Sequence, residues 1–69
     1  RPFRFYTGAV IIGGNVFIGV NTVVAKPVEI GNGAVIGENS VVTTDIPANA
    51  IAVGSPAKVV GYRPEMKND

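Results

Sequence analysis

An aliphatic or aromatic residue occupies every sixth position of the chain over seven consecutive steps. A second small or apolar side chain follows four residues after each of them. This period fits neither an amphipathic helix nor the plain alternation of a long strand. Short, strict repeats are typical of solenoids. The first series is Tyr6, Ile12, Ile18, Val24, Ile30, Ile36 and Val42, and the second is Val10, Val16, Thr22, Val28, Ala34, Ser40 and Ile46.

Each six-residue unit is predicted to contain one short strand and one turn. In the unit 16–19, the first and third residues point inward and Phe17 points outward, as the pleat of a strand requires. In five units, the residue just before the member of the second series suits a turn, because Gly, Asn and Asp tolerate positive φ best. In four units, glycine directly follows the member of the first series. The turn residues are Asn15, Asn21, Gly33, Asn39 and Asp45, and the glycines are Gly13, Gly19, Gly31 and Gly37.

Three units make one three-sided round, so the pattern predicts an all-β parallel β-helix. Seven units cover residues 6–47, or about two and one-third coils. We expect residues 48–69 to form an irregular C-terminal capping segment and tail, because an open solenoid end exposes strand edges. Ile51, Val53, Val59 and Val60 suit one final irregular strand over the last coil. A β-sandwich does not fit the strict period of six, because it needs turn signals every 8–12 residues. A helix is expected only after Pro64.

The outward positions predict a partner. One side of the solenoid carries Phe17 and Val35, and a second carries Val23 and Val41, so two sides are apolar. A soluble monomer does not leave two such stripes in water. We therefore expect a homotrimer in which each protomer uses two sides. The third side carries Ile11, Glu29 and Pro47.

Composition narrows the chemistry. The 69 residues carry a net charge of +1 and 16% charged residues, which gives no indication of nucleic acid or membrane partners. There is no cysteine and no histidine, so thiolate chemistry and histidine metal sites are excluded and no metal is expected. Cytoplasmic localisation is the default expectation. Because the chain begins Arg-Pro-Phe-Arg, we interpret it as a processed or truncated piece of a longer protein.

Two motifs near the end of the chain resemble one known family. Val-Val-Thr-Thr-Asp-Ile-Pro covers residues 41–47, and Gly-Ser-Pro-Ala-Lys-Val covers residues 54–59. Both are similar to the C-terminal part of the hexapeptide-repeat acyltransferases, which include galactoside, serine, xenobiotic and sugar O- and N-acetyltransferases. The resemblance implies a left-handed parallel β-helix. Physical rules for parallel crossovers would alone predict a right-handed one.

The resemblance also implies acetyl transfer from acetyl-CoA to a hydroxyl or amine of a sugar or other small acceptor. In this family, CoA lies between two β-helices of a trimer and contacts backbone groups at the turns. Thr44 departs from the family's lysine at that position, and Lys58 and Arg63 are the candidate phosphate ligands. The corresponding cofactor-binding positions here are Gly19, Val20, Gly37, Glu38, Thr43, Thr44, Ser55, Pro56, Lys58 and Arg63, with Phe17 in the acceptor pocket and Tyr62 either stacking on adenine or capping the core.

No catalytic residue is predicted within this chain. Acyl transfer needs a general base, which is a histidine in the family, and none is present. Glu29 and Glu38 are expected to be solvated, so we expect the base upstream of Arg1, with residues 1–5 re-entering the helix after a missing loop. The piece alone should be inactive although its parent is an enzyme. The alternative is a non-catalytic β-helix trimerisation or regulatory module; a γ-class carbonic anhydrase would need three zinc-binding histidines.

Overall fold

The computed structural model describes residues 10–64, and every regular element in that range is a β-strand. The first six strands are short and follow one another at the predicted spacing of six. The last two strands are longer. The bounds are β1 Ile11–Ile12, β2 Phe17–Ile18, β3 Val23–Val24, β4 Glu29–Ile30, β5 Val35–Ile36, β6 Val41–Val42, β7 Ala50–Val53 and β8 Lys58–Tyr62.

The strands stack in parallel on three sides. β1 pairs with β4, β2 with β5, and β3 with β6, and each residue pairs with its counterpart three units later, as Ile12 does with Ile30. We call these stacks side I (β1, β4), side II (β2, β5, β7, β8) and side III (β3, β6). The three-unit register confirms the prediction of an all-β chain with parallel sheets.

Three corners join the sides. Corner A (residues 13–15, 31–33 and 47–49) leads from side I to side II, corner B (19–21 and 37–39) from side II to side III, and corner C (25–27 and 43–44) back to side I. The predicted positive φ occurs at corners A and B. The residues that adopt it are Asn15, Asn21, Gly33 and Asn39, joined by Asn49 and by Gly54 of the cap.

Asp45 was predicted to take a turn conformation with positive φ, and that prediction was wrong. The last pass through corner C has fewer residues than the regular register requires. Ile46 bridges Ile30, whereas the regular register would bring Ala48 to that position. Asp45 has no positive φ, and its carboxylate Oδ1 instead accepts a hydrogen bond of 2.8 Å from the amide of Glu29. The same shortening moves Pro47 from the outer face of side I to corner A. Asp45 therefore takes the place beside Glu29 that was predicted for Pro47.

The shorter register continues into the capping segment. Val35 pairs with Ile51, and not with Val53 as the regular register would require, which places β7 on side II. β8 then returns antiparallel along β7, with an irregularity between Ile51 and Ala52. The cap is therefore a hairpin of two strands, and the single final strand that the sequence suggested was wrong. The chain turns back because residues 54–57 form a tight loop.

The core consists of the inward residues of the later rounds. Ile30, Ile36 and Val42 are completely buried, whereas Ile12 is 48% exposed. On the outside, Phe17 of side II is 63% exposed, and Val35 above it is only half-buried. The predicted re-entry segment 1–5, the first repeat at Tyr6 and the helix after Pro64 involve residues outside the described range.

Candidate functional site

Corner B is built from stacked backbone with little side-chain cover. An ideal Cβ on Gly19 would lie 2.6 Å from the backbone nitrogen of Glu38 in the round above. A Cβ on Gly37 would lie 2.7 Å from Cγ1 of Val53. Neither glycine has a positive φ, so backbone conformation does not require them. At position 19 the backbone of the next round requires glycine, whereas at position 37 the neighbour is a side-chain methyl of Val53. Corner B is therefore a place where backbone stacks closely on backbone, with the exposed Val20 and Glu38 at its outer edge.

One peptide of corner B is held from inside the solenoid. The carbonyl oxygen of Gly37 accepts hydrogen bonds from the hydroxyls of Thr22, at 3.0 Å, and Ser40, at 2.7 Å. The amide of Gly37 donates to the carbonyl of Ala52 at 2.9 Å. Ser40 is completely buried. Sequence reasoning missed Thr22 and Ser40 as site residues, although hydroxyls at otherwise apolar inward positions were a visible signal.

The loop 54–57, which we call the cap loop, is tied to corner B and to β6. The amide of Gly54 donates to Ser40 Oγ at 3.1 Å, and its carbonyl accepts from the amide of Val41 at 2.9 Å. The amide of Ala57 donates to the carbonyl of Val41 at 2.8 Å. These bonds bring the exposed Ser55, Pro56 and Lys58 close to the predicted turn residues.

Thr43 and Thr44 follow the segment to which the cap loop is bonded. They follow β6 directly, at corner C, and the cap loop binds Val41 two residues before Thr43. Thr43 is half-buried and Thr44 is exposed. The cap loop is thus bonded to the chain between corner B and the threonine pair in sequence, at Ser40 and Val41.

Arg63 does not join this group. The guanidinium Nη1 of Arg63 donates a hydrogen bond to the Gly33 carbonyl at 2.9 Å. Gly33 lies before β5, whereas corner B lies after β5, so the two are at opposite ends of this strand. The Arg63 amide donates to the carbonyl of Asn49 at 2.7 Å. Both contacts are at corner A, where Arg63 fastens the end of β8 to two successive layers. Tyr62, 58% exposed, pairs with Ala50 at the edge of side II.

A groove of about 440 Å³ lies at corner A and was not anticipated from the sequence. Its walls include the acidic residues Glu29 and Asp45 together with Asn32 and Pro47. Within residues 10–64, no three acidic side chains come together as a metal-binding group. No helix in the same range is long and apolar enough to cross a membrane.

Comparison with known proteins identifies the family. The profile described as "Bacterial transferase hexapeptide (six repeats)" matches residues 9–44, more than half of the chain. Strands paired three units apart and glycine-rich corners are what such a repeat requires. The chain belongs to the bacterial transferase hexapeptide family.

Similar proteins of this family are acetyltransferases. The 2,3,4,5-tetrahydropyridine-2,6-dicarboxylate N-acetyltransferase of Staphylococcus aureus strain JH9 is 41% identical over 59 residues, which are 86% of this chain and 25% of that protein. The maltose O-acetyltransferase of Clostridium difficile 630 is 45% identical with a TM-score of 0.81, over 84% of this chain and 31% of that one. A galactoside acetyltransferase solved with coenzyme A is 44% identical with a TM-score of 0.79, over 83% and 28%.

The chain spans about a quarter of the length of the curated relatives that it matches. It therefore corresponds to one segment of such enzymes.

Proposed function

We propose that this chain is part of an acetyl-CoA-dependent acetyltransferase that acetylates a hydroxyl or amine of a sugar or other small acceptor. The observation that carries the proposal is the likeness to maltose and galactoside acetyltransferases, at 44–45% identity over more than four fifths of the chain. The second of these was solved with coenzyme A. In this chain, corner B offers stacked backbone along which an extended ligand arm would lie.

The acyl donor is proposed to lie along corner B and under the cap loop. Its pantetheine arm would follow the stacked backbone of Gly19-Val20 and Gly37-Glu38. Among the described residues, no acceptor is bonded to the amide of Glu38, which is thus free to donate to a ligand carbonyl. Ser55 and Pro56 would then cover the adenine.

The charged end of the donor is proposed to contact Lys58 and the threonine pair. An ammonium near a phosphate makes a charge-assisted hydrogen bond, which is stronger than a neutral one. Lys58 is exposed at the start of β8, where the cap loop ends. Thr43 and Thr44 supply neutral hydroxyls in place of a second lysine. Arg63, with one donor committed to Gly33, has a location that gives its predicted phosphate role no support.

The oligomer is proposed to be a homotrimer with sides II and III at its interfaces. Phe17 on side II and Val23 on side III are 63% and 53% exposed. Aromatic and aliphatic side chains this open favour burial against a second copy. Phe17 lies two residues before Gly19, so it would line an acceptor pocket next to the donor. We further propose that the solenoid winds left-handed, as the family resemblance implies.

No residue of this chain is proposed as the general base. The sequence holds no histidine, and Glu29 and Glu38 are both exposed. We expect the isolated 69-residue segment to give no thiol release from acetyl-CoA with any acceptor. Measured turnover by the isolated segment would contradict this assignment.

Calorimetry with coenzyme A tests the donor site in the full-length protein. Lys58→Gln should weaken CoA binding about fivefold to tenfold, because one exposed charge-assisted contact of about 1 kcal/mol is lost. Lys58→Arg should keep most of the affinity. If Lys58 contacts the 3′-phosphate, the variant should lose less affinity for dephospho-CoA than for CoA. A full-length protein that does not bind CoA would favour a non-catalytic β-helix module instead.

A further inference from the structure

Within residues 10–64, corner B is where side-chain hydroxyls at inward positions bond a backbone carbonyl. Of the second inward positions described from Val10 to Ile46, only Thr22 and Ser40 carry a hydroxyl, and both directly follow corner B. They occupy equivalent positions in successive rounds and donate to the same acceptor, the Gly37 carbonyl. The corresponding positions at corner A are Val16 and Ala34. Two rounds thus place a hydroxyl donor at corner B, where the equivalent positions of corner A are apolar.

Corner geometry alone does not require these hydroxyls. Corner A, like corner B, has a glycine directly after the inward strand residue. It also has a positive-φ residue directly before the following inward residue. Corner A nevertheless forms with the apolar Val16 and Ala34 as the inward residues that follow it. Burying a hydroxyl in an apolar core is unfavourable unless the group is hydrogen-bonded. At corner A the equivalent carbonyl, that of Gly31, accepts a hydrogen bond from the backbone amide of Ala34 at 3.3 Å. At corner B two side-chain hydroxyls hold the Gly37 carbonyl instead, so side chains set the peptide there.

The two hydroxyls orient one peptide group. In a trans peptide, the carbonyl and the following N–H point in opposite directions. Because two hydroxyls hold the Gly37 carbonyl, the Glu38 N–H is directed away from them. A side chain at position 19 would collide with this nitrogen, 2.6 Å from an ideal Cβ. The glycine places no side chain beside this nitrogen, and the hydroxyls fix the direction of the peptide.

Ser40 extends this control to the cap loop. Its Oγ donates to Gly37 and also accepts the hydrogen bond from the amide of Gly54 at 3.1 Å. One completely buried hydroxyl therefore links the two parts of the proposed donor site, corner B and the cap loop. Thr22 contacts only the first part.

We infer that Thr22 and Ser40 are positioning residues that set the Glu38 N–H to donate a hydrogen bond to an amide carbonyl of the donor's pantetheine arm. This inference rests on the proposed function. Thr22 acts on the arm alone, whereas Ser40 acts on the arm and on the loop that covers the nucleotide. Neither side chain touches the donor itself.

Thr22→Val provides the sharper test, because it replaces a hydroxyl with a methyl of similar size. In the full-length protein, its Kd for CoA should rise about twofold to tenfold, the range for one neutral hydrogen bond. Its Kd for adenosine 3′,5′-bisphosphate, which lacks the pantetheine arm, should stay unchanged. Thr22→Ser should restore CoA binding. Ser40→Ala should weaken both ligands.

Val16→Ala is the matched control. It truncates the equivalent corner A position and should lower the unfolding temperature without changing either Kd. Hydrogen exchange gives a readout without ligand: residues 37–41 should exchange faster in Thr22→Val than in Val16→Ala. If the wild-type protein binds no CoA, the proposed function and this inference fail together. If it binds CoA and Thr22→Val changes both ligands equally, or neither, only the inference fails.

Discussion

At the scale of single residues, the glycines of the repeat divide into two groups. Gly31 has ordinary φ but lies under the backbone of Ala48, whose nitrogen would be 2.5 Å from an ideal Cβ. Gly14, on the same corner, has no atom within 4 Å of its ideal Cβ. Corner C uses Ala25 and Thr43 at the equivalent of Gly31, so the requirement for glycine is limited to corners A and B.

We predict that Gly31→Ala destabilises the protein by about 1–3 kcal/mol, because the new methyl group meets rigid backbone and the layers must separate. Gly14→Ala on the same corner serves as the control. It should leave the free energy of unfolding unchanged or slightly higher, since alanine restricts the unfolded chain. Urea denaturation of both variants measures the difference. Equal stability losses in the two variants would contradict the steric explanation.

The residue patterns predicted most of the repeat but few of the hydrogen bonds that join its rounds. The period predicted the strands, and the Asn and Gly positions predicted the positive-φ turns at corners A and B. The polar contact between Asp45 and the Glu29 amide could not be predicted, because it depends on the register of a neighbouring round. Thr22 and Ser40 were read as small core residues, since their common acceptor is visible only in three dimensions.

At the scale of elements, the cap hairpin is fastened at both ends by different means. Near its turn, Ser40 and Val41 bind the cap loop, and at its far end Arg63 binds Gly33 and Asn49. Between them, β8 pairs only with β7 on one edge within the described residues. The sequence predicted that this segment caps the solenoid. It did not predict a hairpin, because β7 and β8 differ little in composition from the strands below.

Arg63→Met should loosen the end of β8 without removing its aliphatic stem. We expect residues 60–63 to lose protection in hydrogen exchange by about fivefold, as one partly buried hydrogen bond is lost. CoA affinity should change little, because Arg63 is remote from corner B. A large loss of affinity with unchanged protection would instead support direct contact between Arg63 and the donor.

At the scale of the whole molecule, each of the three sides carries a large exposed apolar side chain on its outer face. Phe17, Val23 and Ile11 are each more than half exposed and belong to sides II, III and I in turn. Side I differs because Glu29 and Asp45 follow Ile11 on its outer face. This charge distinguishes the side proposed to face water from the two proposed to face other subunits.

A pair of charge substitutions tests the proposed trimer. Val23→Glu on side III should dissociate the full-length protein, because a carboxylate buried in an interface loses its hydration. Ile11→Glu on side I should leave the assembly intact. Sedimentation velocity at several concentrations distinguishes the two. A wild-type protein that sediments as a stable monomer would remove the basis for the proposal.

The shortened pass before Ile46 has a consequence for how the stack ends. Parallel strands in fixed register form a template that a further chain can extend, as in fibrils. Here the step from Ile30 to Ile46 drops the three-unit register, and β8 then runs in the opposite direction along β7. A repeat unit of another molecule meets neither the register nor the strand polarity it would need. On side II the parallel stack is thereby closed by a strand of opposite direction, which disfavours its extension by a further repeat unit.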